Sequence, residues 1–244
     1  MPSLLLPGLT VAAYAAAILS GVLGMGGGTV LIGVMAAALP AATVVPVHGV
    51  VQLASNATRT FVFLRHVRWS LFLIFAPFLV AGVWTATALF RGATLPGFKP
   101  LIGGFILCFL ISRRYKPTLR TPPLWLYGPL GFAAGILTML VGASGPFIAP
   151  FFLRDDLDQH EVIATKSVCQ SLGHLLKIPA FLSIGFDYSE EAPLVLCLVA
   201  AVICGTLTGK KLLGHLESKW FERLFLGLLT LLALHLIGSS LWIR

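Results

Sequence analysis

Two sets of four polar residues interrupt otherwise apolar stretches. His48, Gln52, Asn56 and Arg59 are spaced i, i+4, i+8 and i+11, and Lys166, Gln170, His174 and Lys177 repeat that spacing, each 118 positions after its counterpart. Such spacing puts the members of a set on one helical face. The eight groups are cations, imidazoles and amides, and none is acidic. Brought together they can hold an anion by charge and donated hydrogen bonds. Leaving them against lipid costs a few kcal/mol apiece, so they should face the protein interior or a water-filled path. Arg59 and Lys177 lie near the ends of their stretches, where long side chains can equally snorkel to the interface, and the histidines can instead cap a neighbouring carbonyl. His48, Gln52, Asn56, Lys166, Gln170 and His174 are the candidate binding residues of the two faces.

Two glycine-rich turns are the second candidate feature: Gly24-Met25-Gly26-Gly27-Gly28 and Gly142-Ala143-Ser144-Gly145-Pro146. Each precedes a short apolar run, Thr29 to Leu39 and Pro146 to Leu153. At about 1.5 Å per residue such runs cannot cross a hydrocarbon core of about 30 Å, so they must begin inside the membrane. A helix starting there leaves its first N–H groups unpaired and its positive dipole end pointing into the protein, which favours an anion. Glycine lets a ligand approach the backbone, and Pro146 suits a first helical turn. The candidate donors are the backbone N–H groups of Gly26, Gly27, Gly28, Ala143, Ser144 and Gly145. The alternative is that these glycines serve close helix packing, as small residues do in membranes.

The elements that must position these groups are apolar throughout. The chain has 244 residues, 57% hydrophobic and 11% charged, with mean hydropathy +0.94, whereas soluble domains carry about 25% charged residues. A soluble enzyme, a disordered chain, a collagen and a coiled coil are excluded. Apolar stretches run over 4–23, 29–39, 44–64, 70–90 and 97–112, and again over 124–141, 146–153, 162–184, 193–209 and 220–242. The order long, short, long, long, long occurs twice. Gly21, Leu23 and Met25 align with Gly135, Leu137 and Met139, and Gln52 with Gln170. Gly82, Thr85, Phe98, Leu101 and Gly104 align with Gly205, Thr208, Phe221, Leu224 and Gly227 at one common offset. The expected fold is an all-α membrane protein: a polytopic helical bundle of about ten segments, some short, broken or re-entrant. The expected organisation is a first repeat over 1–112, a cytoplasmic linker over 113–123 and a second repeat over 124–244.

The formal charge of +8 records orientation in such a chain, not a nucleic-acid partner. Bases cluster in alternate loops: Arg65 and Arg68; Arg113, Arg114, Lys116 and Arg120; Arg154; and Lys210, Lys211, Lys219 and Arg223. These loops are expected in the cytoplasm, which puts both termini outside. Each repeat then makes an odd number of net crossings, so the two have inverted topology, as in secondary transporters. The first carboxylate is Asp155. A cation transporter or proton relay built on buried acids therefore lacks its parts in the first half. Asp155, Asp156, Asp158 and Glu161 are expected in a solvated loop, with gating open to them. His235 is expected to be structural. The cysteines, Cys108, Cys169, Cys197 and Cys204, form no CxxC pair or metal-ligand cluster and are read as packing residues. No metal or cofactor is expected. No base precedes the first apolar run, so that span is expected to be retained.

At Gly21-Val-Leu-Gly-Met-Gly-Gly-Gly28 and Gly135-Ile-Leu-Thr-Met-Leu-Val-Gly-Ala-Ser-Gly-Pro-Phe-Ile-Ala-Pro150 the sequence resembles the sulfite exporter TauE/SafE family. That resemblance covers nearly the whole chain. It departs at Gly-Ala-Ser-Gly-Pro, where the family commonly has a glycine run, and at His48-Gly49 and Lys166-Ser167, where many members show a Gly-Thr-Ser-like sequence. It implies export of sulfite, organosulfonates or similar small anions across the cytoplasmic membrane. The expected mechanism is a small oxyanion held near the midplane between the repeats, with alternating access and a possible proton or co-ion, and no enzymatic activity. A rival reading is a rhomboid-like intramembrane serine protease, with Ser144 as nucleophile and His174 as base. A third is a membrane assembly factor that moves no anion.

Overall fold

Runs of apolar residues punctuated by glycine and proline set the order of elements. The computed structural model describes residues 4–23, 26–89, 98–114, 121–212 and 218–241. Gly24 and Met25 of the first glycine run, Lys116 and Arg120 of the basic segment, and Trp242 lie outside them, as do the side chains of Arg113, Arg114, Lys219 and Arg223. The helices are α1 (Leu5–Leu23), α2 (Gly27–Ala38), α3 (Ala41–Val62), α4 (Trp69–Leu89), α5 (Phe98–Arg114), α6 (Tyr127–Leu140), α7 (Gly145–Phe152), α8 (Gln159–Ser183), α9 (Ala192–Leu212) and α10 (Ser218–Leu241). The chain is an all-α membrane bundle, with no strand among the described residues. α1, α4 and α9 are long and apolar enough to cross a membrane by composition alone. α3 and α8 are as long, but their polar residues are turned inward against other helices.

Two boundaries moved for local reasons. Leu124–Leu126, expected as the start of a helix, form a 3-10 turn after Pro122-Pro123, and α6 begins at Tyr127. α8 begins three residues before the apolar stretch, because Asp158 accepts from the Glu161 N–H and Glu161 reaches back to the Asp158 N–H. This capping box supports a polar first turn that hydropathy alone cannot see. Of the cysteines expected to pack, Cys169 is buried and Cys197 half-buried, while Cys108 and Cys204 face outward.

Packing crosses between the halves. α1 lies along α9, α4 along α6, α3 against α8 and α5 against α10. Glycine makes the closest approaches: a Cβ on Gly21 would stand 2.9 Å from the Gly209 Cα, and one on Gly135 would stand 2.5 Å from the Leu79 carbonyl. Small residues let membrane helices approach this closely. The short helices are central. Leu31, Ile32, Met35 and Ala36 of α2 are fully buried, as are Ile148 and Phe152 of α7, the latter edge-on to Phe75 and Tyr127.

The ends of the bundle differ in charge. At one end Arg68 bonds to Glu161 at 2.7 Å and reaches the Asp156 carbonyl at 3.3 Å, and its own N–H donates to Thr165. Arg154 bonds to Asp156 at 2.7 Å and reaches the Pro122 carbonyl at 3.3 Å, and the Lys210 ammonium stands 6.0 Å from the Phe63 ring. The base-bearing loops after α3 and α7 and the end of α9 therefore share one end. At the other, Thr43 donates to Glu191 at 3.4 Å. α3 and α8 consequently run antiparallel.

Candidate functional site

The site forms where the two short helices begin against the polar faces of α3 and α8. α3 contributes His48, Gln52, Asn56 and Arg59, and α8 contributes Lys166, Gln170 and His174. Ser20 comes from α1, Gly26, Gly28 and Thr29 from the start of α2, and Ala143, Gly145 and Pro146 from the start of α7. Together they line a cavity with about 350 Å³ of atom-free space, mouth included. No carboxylate is among these residues.

Of the residues expected to bind ligand, Gly26, Gly28, His48, Gln52, Asn56, Ala143, Gly145, Lys166, Gln170 and His174 are brought together here, while Gly27 and Ser144 are not. A Cβ at Gly27 would run into the Ala16 carbonyl and lie 2.8 Å from the Ser20 Cβ, so this glycine serves close packing. Ser144 is buried and its hydroxyl accepts from Thr138 at 2.9 Å. Among the described residues no hydrogen bond joins Ser144 to His174, so the nucleophile and base of the protease reading are not paired.

Both turns depend on a glycine with positive φ, Gly26 at 94° and Gly142 at 82°, a conformation costly for other residues. Their carbonyls are then engaged from α3 and α8. His48 Nε2 lies 2.9 Å from the Gly28 oxygen and must carry the proton there, and Lys177 Nζ donates to the Gly142 oxygen at 2.7 Å. His48 thus both caps a carbonyl and lines the cavity. Its ring meets His174 edge-on, with centroids 5.8 Å apart. Asn56 Nδ2 donates to the Gln52 carbonyl at 2.9 Å and to Gln52 Oε1 at 3.4 Å, orienting that amide. The missing side chains of Gly28 and Gly145 leave room for Gln52 and Gln170: a Cβ would stand 3.0 Å from Gln52 Oε1 and 2.6 Å from Gln170 Nε2.

Arg59 and Lys177 do not snorkel; they are 2% and 0% exposed. Arg59 lines the cavity, with Nη2 donating to Ser55 at 3.0 Å, and Ser55 lies 3.1 Å from Thr206 of α9. Lys177 sits behind the wall, against Gly49. Ser20, Thr29 and Pro146 also line the cavity without having been candidates. No spacing rule ties Ser20 to the polar faces, whereas Thr29 and Pro146 directly adjoin the glycine turns.

Outside the membrane, Arg154 holds the Asp156 carboxyl below the usual range. The N–H groups of the first turn of α8 do the same for Asp158. Among the described residues no group of three or more His, Cys, Asp or Glu comes together as a metal site.

A hollow lined by cations, imidazoles, amides and the starts of two short helices, with no carboxylate among its described lining residues, is suited to a small oxyanion. No curated protein and no solved structure matches the chain. The family model described as Sulfite exporter TauE/SafE matches residues 9–236. With that match spanning nearly its whole length, the chain belongs to the sulfite exporter TauE/SafE family, whose members are membrane transporters.

Proposed function

We propose that the protein exports a small oxyanion, sulfite or an organosulfonate, across the cytoplasmic membrane as a secondary transporter, by alternating access at the cavity between α2, α3, α7 and α8. The observation that carries this reading is the cavity itself, where cations, imidazoles and amides converge with the starts of two short helices and no acid is among the described lining residues. Gly26, Gly28, Ala143 and Gly145 bring backbone to the ligand, and His48, Gln52, Asn56, Lys166, Gln170 and His174 supply charge and hydrogen bonds. Gly27 and Ser144 support the two turns from behind.

The alternating step is rocking of residues 1–112 against residues 124–244 as two inverted repeats. Support comes from helix pairing: counterparts α3 and α8 run antiparallel, and α1 with α9 mirrors α6 with α4. The end that gathers Arg65, Arg68, Arg154 and Lys210 is the cytoplasmic one, with both termini outside. An inside-negative potential favours anion exit by about 2.3 kcal/mol per charge per 100 mV, so export needs no coupling ion, and a histidine proton can tie it to pH.

Sulfite efflux from proteoliposomes tests the proposal. Lys166→Ala is expected to lower the rate by about tenfold or more and Gly27→Leu to abolish it. Equal efflux from wild type and both variants refutes it.

A further inference from the structure

We propose that Arg59 is a specificity-determining residue of the cavity and that its guanidinium selects an oxyanion over a halide. This deepens the transport reading and rests on it.

Arg59 is a buried cation with most of its donors idle. It is 2% exposed and lines the cavity from α3. A guanidinium carries five N–H donors and does not release its proton in a protein. Among the described residues its one hydrogen bond is from Nη2 to Ser55 at 3.0 Å, and no carboxylate pairs with it. The Nε–H is buried without an acceptor. Leaving buried, charged donors unmade is costly, and a ligand rich in acceptor oxygens relieves that cost.

The way Arg59 is held decides which ligand suits it. A guanidinium has two edges that each present a pair of N–H groups side by side, Nη1 with Nη2 and Nε with Nη2. Nη2 gives one N–H to each edge, so the bond to Ser55 occupies one edge and leaves the other whole. Ser55 lies 3.1 Å from Thr206 of α9, and both are buried, so two helices fix the plane of the fork. Two oxygens on one central atom meet such an edge with two straight hydrogen bonds. A halide is a single spherical acceptor and receives both bonds bent, which weakens them. A lysine ammonium at this position is a point charge and loses the distinction. Chloride is therefore the anion that the fork discriminates against.

Chloride competition against labelled sulfite efflux tests this in proteoliposomes holding the full chain, at one fixed pH and ionic strength. The readout is the ratio of the chloride inhibition constant to the half-saturating sulfite concentration, which does not depend on how much of the protein is folded. In wild type the ratio is expected to exceed about tenfold, the worth of one well-made charged hydrogen bond. Arg59→Lys keeps the charge and removes the fork. Its ratio is expected to fall below about threefold, with chloride still inhibiting within about threefold of its wild-type concentration. Ser55→Ala keeps the guanidinium and releases its plane, and the ratio is expected to fall partway. A wild-type ratio near unity overturns the proposal whether or not any variant folds. So does an Arg59→Lys protein with the wild-type ratio, and where that variant does not reconstitute, an unchanged ratio in Ser55→Ala does the same. Sulfite efflux with a ratio near unity leaves anion transport standing and removes only the selectivity claim; no efflux of any anion removes both.

Discussion

The two glycine turns are built alike and secured differently. Each has a glycine at positive φ, a carbonyl held by a basic or imidazole side chain, and a glutamine filling space that another glycine leaves. In the first turn the holder is His48, at the start of its polar face; in the second it is Lys177, at the end of its own. Because α3 and α8 are antiparallel, those two positions are neighbours, with Lys177 lying against Gly49. Arg59 and Lys166, their register counterparts, both face the cavity. The lesson is that a spacing shared along the chain does not bring a shared task. One pair of positions 118 residues apart is split, Lys177 holding backbone and Arg59 facing the cavity.

The strongest way to break this comparison is to give both turns the same insult. Gly27 and Gly145 share the 118-residue register. A Cβ at Gly27 meets backbone, which cannot move, while at Gly145 it meets the far end of Gln170, which can. Gly27→Ala should destabilise by about 3 kcal/mol or more and Gly145→Ala by less than about 1 kcal/mol, with the latter still slowing flux. Thermal unfolding in detergent reads the first contrast and efflux the second.

A smaller effect sharpens the difference between the holders. Lys177→Met leaves the Gly142 carbonyl without its charged donor, and a cost of about 1–3 kcal/mol is expected. His48→Phe removes a neutral donor from Gly28 and should cost about 1 kcal/mol. Equal losses in chemical or thermal unfolding count against distinct roles.

The smallest effect concerns the loop between α7 and α8, which has no acidic counterpart between α2 and α3. Asp156 and Asp158 titrate below the ordinary carboxylate range, so their contribution is complete above about pH 4 and fades as pH falls further. Asp158→Asn keeps a capping side chain that does not titrate. Opening of the first turn of α8, read as hydrogen-exchange protection factors at pH 5 and pH 3, should rise less in this variant than in wild type. An equal rise in both proteins excludes the Asp158 carboxylate as the cause.

Much of the architecture was legible because the bilayer imposes it. The ten apolar stretches correspond to ten α-helices among the described residues, and the short pair was recognisable from length alone. The start of α8 was missed because a hydropathy reading discards Gln159-His160-Glu161, although the Asp158-to-Glu161 spacing carries a capping signal. At the site, residue type and 3.6-residue periodicity predicted which groups would share a face, and the structure gathers ten of the twelve candidates around one cavity. The two exceptions, Gly27 and Ser144, adjoin lining residues but are turned to other helices, Gly27 against Ala16 of α1 and Ser144 toward Thr138 of α6. Periodicity also left Arg59 and Lys177 undecided, since whether a long cation reaches solvent depends on what α9 and the Gly142 turn place around it.

Binding of sulfite to the purified protein tests the central claim most directly. A ligand that binds only the folded state raises its unfolding temperature, by more the further its concentration exceeds the dissociation constant. Wild type and Ser144→Ala should show the same sulfite-dependent rise, and Lys166→Ala should show little or none. A Lys166→Ala protein stabilised by sulfite as strongly as wild type contradicts the account.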